Sequence, residues 1–189
     1  MGTTNIVLCG LGGQGILFMT KVLAQVALDK GLNIMCAETH GMAQRGGSVV
    51  SHLRIGQVES SLVRTGTAHF LLALDETEAY RNLPFLSEGA GMYVSTPAKG
   101  FPRQETIGFL EKNKIVCYAM PAAATALELG APLSANLALL GYFSAFGEGP
   151  VSKEELRGTL SNITPDHVRE SNLKVFDTGL ERGLAEKGE

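Results

Sequence analysis

The chain has 189 residues, 44% hydrophobic and 19% charged, enough for one domain with a full core. Its formal net charge of −3 provides no basic field, so nucleic acid is not an expected partner. Three cysteines, Cys9, Cys36 and Cys117, stand far apart inside apolar runs; that spacing suits neither a disulfide framework nor a metal knuckle, and an iron–sulfur cluster needs about four thiolates. They are expected to be small hydrophobes on buried strands in a reducing cytosol.

From the N-terminus, where no signal peptide is expected, Asn5–Cys9 reads as a strand of continuous apolar character. Gly15–Asp29 reads as a helix with Ile16, Met19, Val22, Leu23 and Val26 on one face, ended by Gly31. Asn33–Glu38 predicts a second strand. In Ser48–Ile55, Val49, Ser51, Leu53 and Ile55 alternate with Val50, His52 and Arg54, the period of two of a strand with one polar side. His69–Leu74 predicts a buried strand and Glu76–Leu83 a short helix stopped by Pro84. Met92–Ser95 and Lys114–Tyr118 read as strands, with a helix around Glu105–Lys112 between them.

From Ala119 to Gly147 the only charge is Glu128, but Pro121, Gly130, Pro132 and Gly141 cut this stretch into pieces too short to span about 30 Å of hydrocarbon. It predicts two buried helices, Ala122–Leu129 and Asn136–Phe146, the second with Ser134 as its cap, and part of this surface covered by another chain. No membrane association is expected. Ser152 and Glu155 form a capping box for a helix to about Asn162, and Pro165 fits the first turn of a last helix.

This alternation predicts an α/β fold with a mixed, mainly parallel sheet flanked by helices and a Rossmann-like N-terminal strand-turn-helix, in one domain over 1–189. Only a loop separates Glu38 from Ser48, whereas a parallel crossover needs about a dozen residues or more. The Ser48 strand is therefore expected to pair antiparallel or to lie at an edge.

Two glycine loops concentrate the chemistry. Gly10, Gly12 and Gly15 satisfy G-x-G-x-x-G between a strand and a helix, a backbone cradle for an anion, and Glu38 ends the second strand where a ribose-binding carboxylate is expected. That pattern fits NAD or FAD, and it also fits a tight turn for close packing; Gln14, an amide aimed at a ligand or partner, and the missing second crossover helix count against a dinucleotide. In the second loop, His40 to Gly47, Arg45 presents a rigid fork suited to phosphate or carboxylate, with Gly46 and Gly47 leaving room for close approach. His40 is the candidate acid/base residue, against the alternative of a simply hydrogen-bonded histidine. Asp75, Glu76 and Glu78 read as acids at a helix start, where the dipole favours them, rather than as a metal set.

Gly-x-Gly-Gly-Gln-Gly-Ile-Leu at Gly10–Leu17 and Glu38-x-His-Gly-Met-Ala-Gln-Arg-Gly-Gly-Ser-Val-Val at Glu38–Val50 resemble the gamma-type component of 2-oxoacid:ferredoxin oxidoreductases. His52-x-Arg-Ile-Gly56, the Leu74–Arg81 segment, Asn136 and Asn172-x-x-x-Phe176 extend the likeness over nearly the whole chain, and the indolepyruvate branch is the most similar. The resemblance implies an oxidoreductase subunit that is inactive alone. A large partner would hold thiamine diphosphate with its Mg ion and 4Fe-4S clusters, decarboxylate the 2-oxoacid, pass electrons to ferredoxin and form an acyl-CoA. This chain would cover the thiamine site or contact coenzyme A through Gly10, Gly12, Gly13, Gln14, Gly15, Gln44, Arg45, Gly46 and Gly47, binding no metal itself. An autonomous NAD- or FAD-dependent oxidoreductase and a non-catalytic assembly module are the alternatives, and the apolar helices also permit a homodimer.

Overall fold

The apolar run beginning at Ile6 is buried on both faces because it forms part of the centre of a sheet. In a computed structural model, describing residues 2–41, 46–97, 99–147 and 149–188, this strand is β1 (Thr4–Leu11) and leads into α1 (Ile16–Asp29). The edge strand β2 (Ile34–His40) is followed by β3 (Ser48–Ile55), then β4 (Ala68–Ala73), α2 (Glu76–Asn82) and β5 (Leu86–Ser95). The rest is α3 (Gln104–Lys112), β6 (Val116–Met120), α4 (Ala122–Glu128), α5 (Ala135–Ala145), α6 (Lys153–Ile163) and α7 (Asp166–Lys187). Among the described residues no helix is long and apolar enough to cross a membrane.

The six strands are ordered β2-β3-β1-β4-β5-β6. β3 alone runs against the others, antiparallel to both β2 and β1, while β1, β4, β5 and β6 pair in parallel. Of the two arrangements expected for the Ser48 strand, antiparallel pairing is the one adopted, and β2 takes the edge. One face of the sheet is covered by α1 and α4–α7, the other by α2 and α3, and the side chains of β1 alternate between the two cores.

Several expectations are corrected. The side of β3 read as polar is covered at His52, which packs edge-on against Phe85 with ring centroids 5.1 Å apart. Burial lowers its pKa, and among the described residues Nδ1 has no hydrogen-bond partner. The cysteines are not uniformly buried: Cys9 is, but Cys36 is exposed on β2 and Cys117 is half-buried, its thiol pushed up to about 11 by burial. Ser134 stands at the N-cap of α5 without capping it, donating instead to Asn172 Oδ1 at 2.9 Å. Pro165 is the N-cap of α7 rather than a member of its first turn. The capping box of α6 forms as read: Ser152 Oγ accepts from the Glu155 amide, and Glu155 accepts from the Ser152 amide.

α5 and α7 pack with their backbones in direct contact. A Cβ on Gly141 would lie 2.0 Å from the Phe176 carbonyl oxygen, and one on Gly179 would lie 2.0 Å from that of Ala138. Only glycine permits this backbone contact, which carries α7 along the outside of the almost wholly buried α5.

Candidate functional site

The parallel strands β1, β4, β5 and β6 all point their carboxyl ends the same way. The chain leaves β1 toward β2 but continues from β4 in the other direction, so a crevice opens outside the β1 and β4 ends, where open α/β sheets receive ligands. The first glycine loop stands there. The turn closes as the Gln14 amide donates to Leu11 O at 3.1 Å, and Gly15 supplies the left-handed N-cap of α1 at φ 84°. Asn136, buried at the start of α5, donates to Gly15 O at 3.2 Å; a Cβ on Gly15 would lie 2.5 Å from its Nδ2.

α1 has no side-chain cap and no acid in its first turn. The leading N–H groups of a helix have no intrahelical acceptor, and they favour negative charge. In α2, by contrast, Asp75 accepts from the Glu78 amide at 3.0 Å, with Glu76 and Glu78 in the first turn, the helix-start role expected of these acids.

The second loop abuts the first. The β1–β3 ladder ends on Leu11 opposite Ser48 and is prolonged by the Gly12 amide donating to Gly47 O at 2.8 Å; Gly46 N lies 3.5 Å from Gly12 O. Gly41 N donates to Ser48 O at 2.8 Å, closing the loop's base. His40 ends β2 across from Val49. Gln44 and Arg45, with the His40 side chain, lie outside the described residues.

Gln14 is oriented differently from the expectation of an amide aimed outward. Its Oε1 accepts from the Leu11 amide at 2.6 Å and its Nε2 donates to Leu74 O at 3.3 Å, so it braces the turn against the end of β4. A Cβ on Gly10 would stand 2.6 Å from that oxygen, which gives Gly10 a packing role beneath the turn. Gly13 is exposed, and open space surrounds the place of its missing Cβ. It forms a ridge between two clefts. One, of about 440 Å³, is lined by Gly12, Ile16, Leu17, Phe18 and Val49; the other, of about 240 Å³, by Gln14, Leu74, Ser95, Ala123 and Leu133. Leu17 is 42% and Leu133 87% exposed, so the clefts have apolar rims. A depression of about 580 Å³ near Arg54 and Arg64 is larger, but it involves the opposite end of the sheet, and Arg54 there is held by Asn5 and Ser60.

Glu38 is on β2, and β3 lies between it and β1. Two strand spacings, about 10 Å, separate it from the strand that carries the glycine turn, against about 5 Å for adjacent strands. Among the described residues no group of three or more His, Cys, Asp or Glu side chains could hold a metal ion. The Cys9 thiol is held protonated, first by burial and then by Glu78 and Asp75.

Two partners at this site, Asn136 and Glu78, were not assigned to it from the residues alone. Asn136 carried a signal, an amide in an otherwise apolar helix. Glu78 carried none that distinguished it from the acids beside it.

The family model described as pyruvate ferredoxin/flavodoxin oxidoreductase matches residues 5–182. The indolepyruvate oxidoreductase subunit IorB of Methanothermobacter thermautotrophicus is 34% identical, covering 93% of this chain and 95% of the relative. IorB of Archaeoglobus fulgidus is 32% identical, covering 96% of each. Among solved structures, the keto/oxoacid ferredoxin oxidoreductase gamma subunit of Geobacter sulfurreducens superposes with a TM-score of 0.74 at 25% identity, over 96% of this chain and 99% of that one. The 2-oxoglutarate:ferredoxin oxidoreductase of Magnetococcus marinus, with 2-oxoglutarate, coenzyme A and succinyl-CoA bound, shares the fold with a TM-score of 0.78 at 23% identity, over 98% of this chain and 32% of that one.

Proposed function

This chain belongs to the pyruvate ferredoxin/flavodoxin oxidoreductase family as a gamma-type subunit of a 2-oxoacid:ferredoxin oxidoreductase, and from that premise we propose that its two glycine turns receive coenzyme A beside a catalytic partner's thiamine site. The substrate is an aryl pyruvate, indolepyruvate by likeness to the IorB subunits. In the complete reaction the 2-oxoacid loses carbon dioxide, the acyl group passes to the coenzyme A sulfur, and the electron pair released goes to ferredoxin. A cytoplasmic location is part of the same proposal.

Among the described residues no cluster of three or more His, Cys, Asp or Glu side chains could hold a metal ion. Thiamine diphosphate with its metal and the iron–sulfur clusters are therefore assigned to the partner in this proposal. Coenzyme A is different. The uncapped start of α1 suits its phosphates, and Leu17, Phe18 and Val49 offer an apolar wall for its pantetheine arm. Arg45 supplies the cation, Gln44 a further hydrogen bond, and Gly46 and Gly47 the room. Gln14 holds the turn in shape. The observation that carries the reading is the backbone contact of Gly12 with Gly46 and Gly47, which makes two separate loops one surface.

The relatives support this reading over an autonomous nicotinamide or flavin enzyme, and the distance of Glu38 from β1 agrees. The test is reconstitution with the catalytic partner. The lone chain is expected to turn over no substrate. Arg45→Ala is expected to raise KM for coenzyme A about tenfold or more, the worth of one charge-assisted hydrogen bond. An effect confined to assembly, with turnover and KM per assembled complex unchanged, would favour the non-catalytic module instead.

A further inference from the structure

We infer that Glu78 is a positioning residue, which reaches through the protein to Ser48 and fixes the second glycine turn against the first; the inference rests on the role proposed for those turns. Glu78 is 1% exposed. A carboxylate so buried is costly unless both oxygens are engaged. Here they are: Oε2 accepts from Ser48 Oγ at 2.6 Å, and Oε1 accepts from Arg81 Nη1 at 2.6 Å. Its backbone is fixed as well, by Asp75 Oδ1 on the amide and by Asn82 Nδ2 donating to the carbonyl at 2.9 Å.

Ser48 is the place where such a hold is effective. Gly46 and Gly47 have no side chains by which the turn could be anchored, so Ser48 is the first residue after them that can be held. Its carbonyl already accepts the Gly41 amide, and its neighbour Gly47 accepts the Gly12 amide. The first turn is tied to the same stretch from the other side, through Gln14 Nε2 to Leu74 O. The segment Leu74–Glu78 therefore holds both turns, one through Gln14 and one through Ser48. A hydrophobic side chain could fill the position of Glu78 beside Cys9 and Ala79, but it would exert no directional hold on the Ser48 hydroxyl.

The test uses Ser48→Ala, Ser48→Thr and Glu78→Gln in the reconstituted complex, together with amide hydrogen exchange of the full chain. Ser48→Ala is expected to raise KM for coenzyme A about fivefold to tenfold with kcat altered less than about threefold, the scale of one ordinary hydrogen bond. Ser48→Thr, which keeps the hydroxyl, is expected to restore KM. Glu78→Gln, which keeps an acceptor but loses the charge, is expected to fall between. The Gly12 and Gly41 amides are expected to exchange faster in Ser48→Ala, with those of β4 and β5 unchanged. An unaltered KM in an active complex, unaltered exchange at Gly12 and Gly41, or a loss that threonine does not rescue each overturns the inference. If the unmodified complex shows no coenzyme A-dependent turnover, the subunit reading falls instead, and exchange alone decides whether Glu78 holds the turn.

Discussion

The turn between β1 and α1 and the contact between α5 and α7 are both built around glycine, but for different physical reasons. In the turn the backbone itself is unusual: Gly13 has φ 98° and Gly15 φ 84°, regions that a side chain disfavours. In α5 and α7 the backbone is ordinary helix, and Gly141 and Gly179 serve only to let two helices touch. The first use sets the shape of the turn proposed to receive coenzyme A, and the second sets a distance inside the fold. Substitution should therefore injure function first at one end and stability first at the other.

The sharpest way to break that contrast is at the helix pair. Gly141→Ala and Gly179→Ala each force a methyl group to within 2.0 Å of a backbone carbonyl oxygen, which no side-chain rotation relieves. Each is expected to destabilise the chain by about 3 kcal/mol, the upper range for overpacking. Thermal unfolding followed by circular dichroism should show a fall of roughly 6–12 °C at this chain length. A loss below about 1 kcal/mol would mean that α7 slides readily along α5, and the steric account of this contact would be wrong.

The turn offers an internal control of intermediate size. Gly15→Ala meets both a left-handed φ, which costs about 1–2 kcal/mol for a residue with a Cβ, and Asn136 Nδ2 at 2.5 Å. Gly13→Ala meets only the backbone penalty, because nothing lies within 4 Å of its Cβ. Gly15→Ala is expected to lose about 2 kcal/mol, while Gly13→Ala is expected to lose about 1 kcal/mol. In the reconstituted complex Gly13→Ala should still raise KM for coenzyme A, since its methyl group would project onto the ridge between the two clefts. Equal stability losses would show that Asn136 yields freely.

These contrasts mark what the sequence made legible. The β1 strand and its turn could be read because an apolar run ends abruptly in glycines, and β3 because the nine residues between Glu38 and Ser48 cannot carry a parallel crossover. The capping box at Ser152 and Glu155 was equally plain, being a local pattern with a local cause. What stayed hidden depended on partners distant in the chain. Asp75, Glu76 and Glu78 look alike as helix-opening acids, and only the packing of α2 against β1 and β4 buries the last of them. Gln14 looked free because its acceptor, Leu74 O, is 60 residues away. The start of β5 at Leu86 is hidden because Glu88, Gly89 and Gly91 resemble a loop, although Leu86 pairs with Ala68 of β4 and Gly91 with Phe70 of β4 and Val116 of β6. Gly179 and Gly183, where a Cβ would lie 2.0 Å from Ala138 O and 2.7 Å from Tyr142 O respectively, stay hidden in α7 because polar residues around them mask the narrow contact stripe.

The smallest expected effect has the opposite sign, and it asks whether any helical glycine here lacks a structural reason. Gly158 in α6 and Gly108 in α3 are exposed, have no positive φ, and would carry a Cβ with nothing within 4 Å. Neither shapes a turn nor admits a neighbouring helix. Glycine in a helix interior loses roughly 0.5–1 kcal/mol relative to alanine, chiefly through the greater freedom of the unfolded chain. Gly158→Ala and Gly108→Ala are therefore each expected to stabilise the chain by about that amount, and the two should add because they lie in helices on opposite faces of the sheet. Denaturant titration of the single and double variants measures this directly. If Gly158→Ala destabilises the lone chain, α6 has a steric constraint that its open surroundings do not reveal; if it is stabilising alone but weakens the reconstituted complex, that face of α6 is where another subunit approaches.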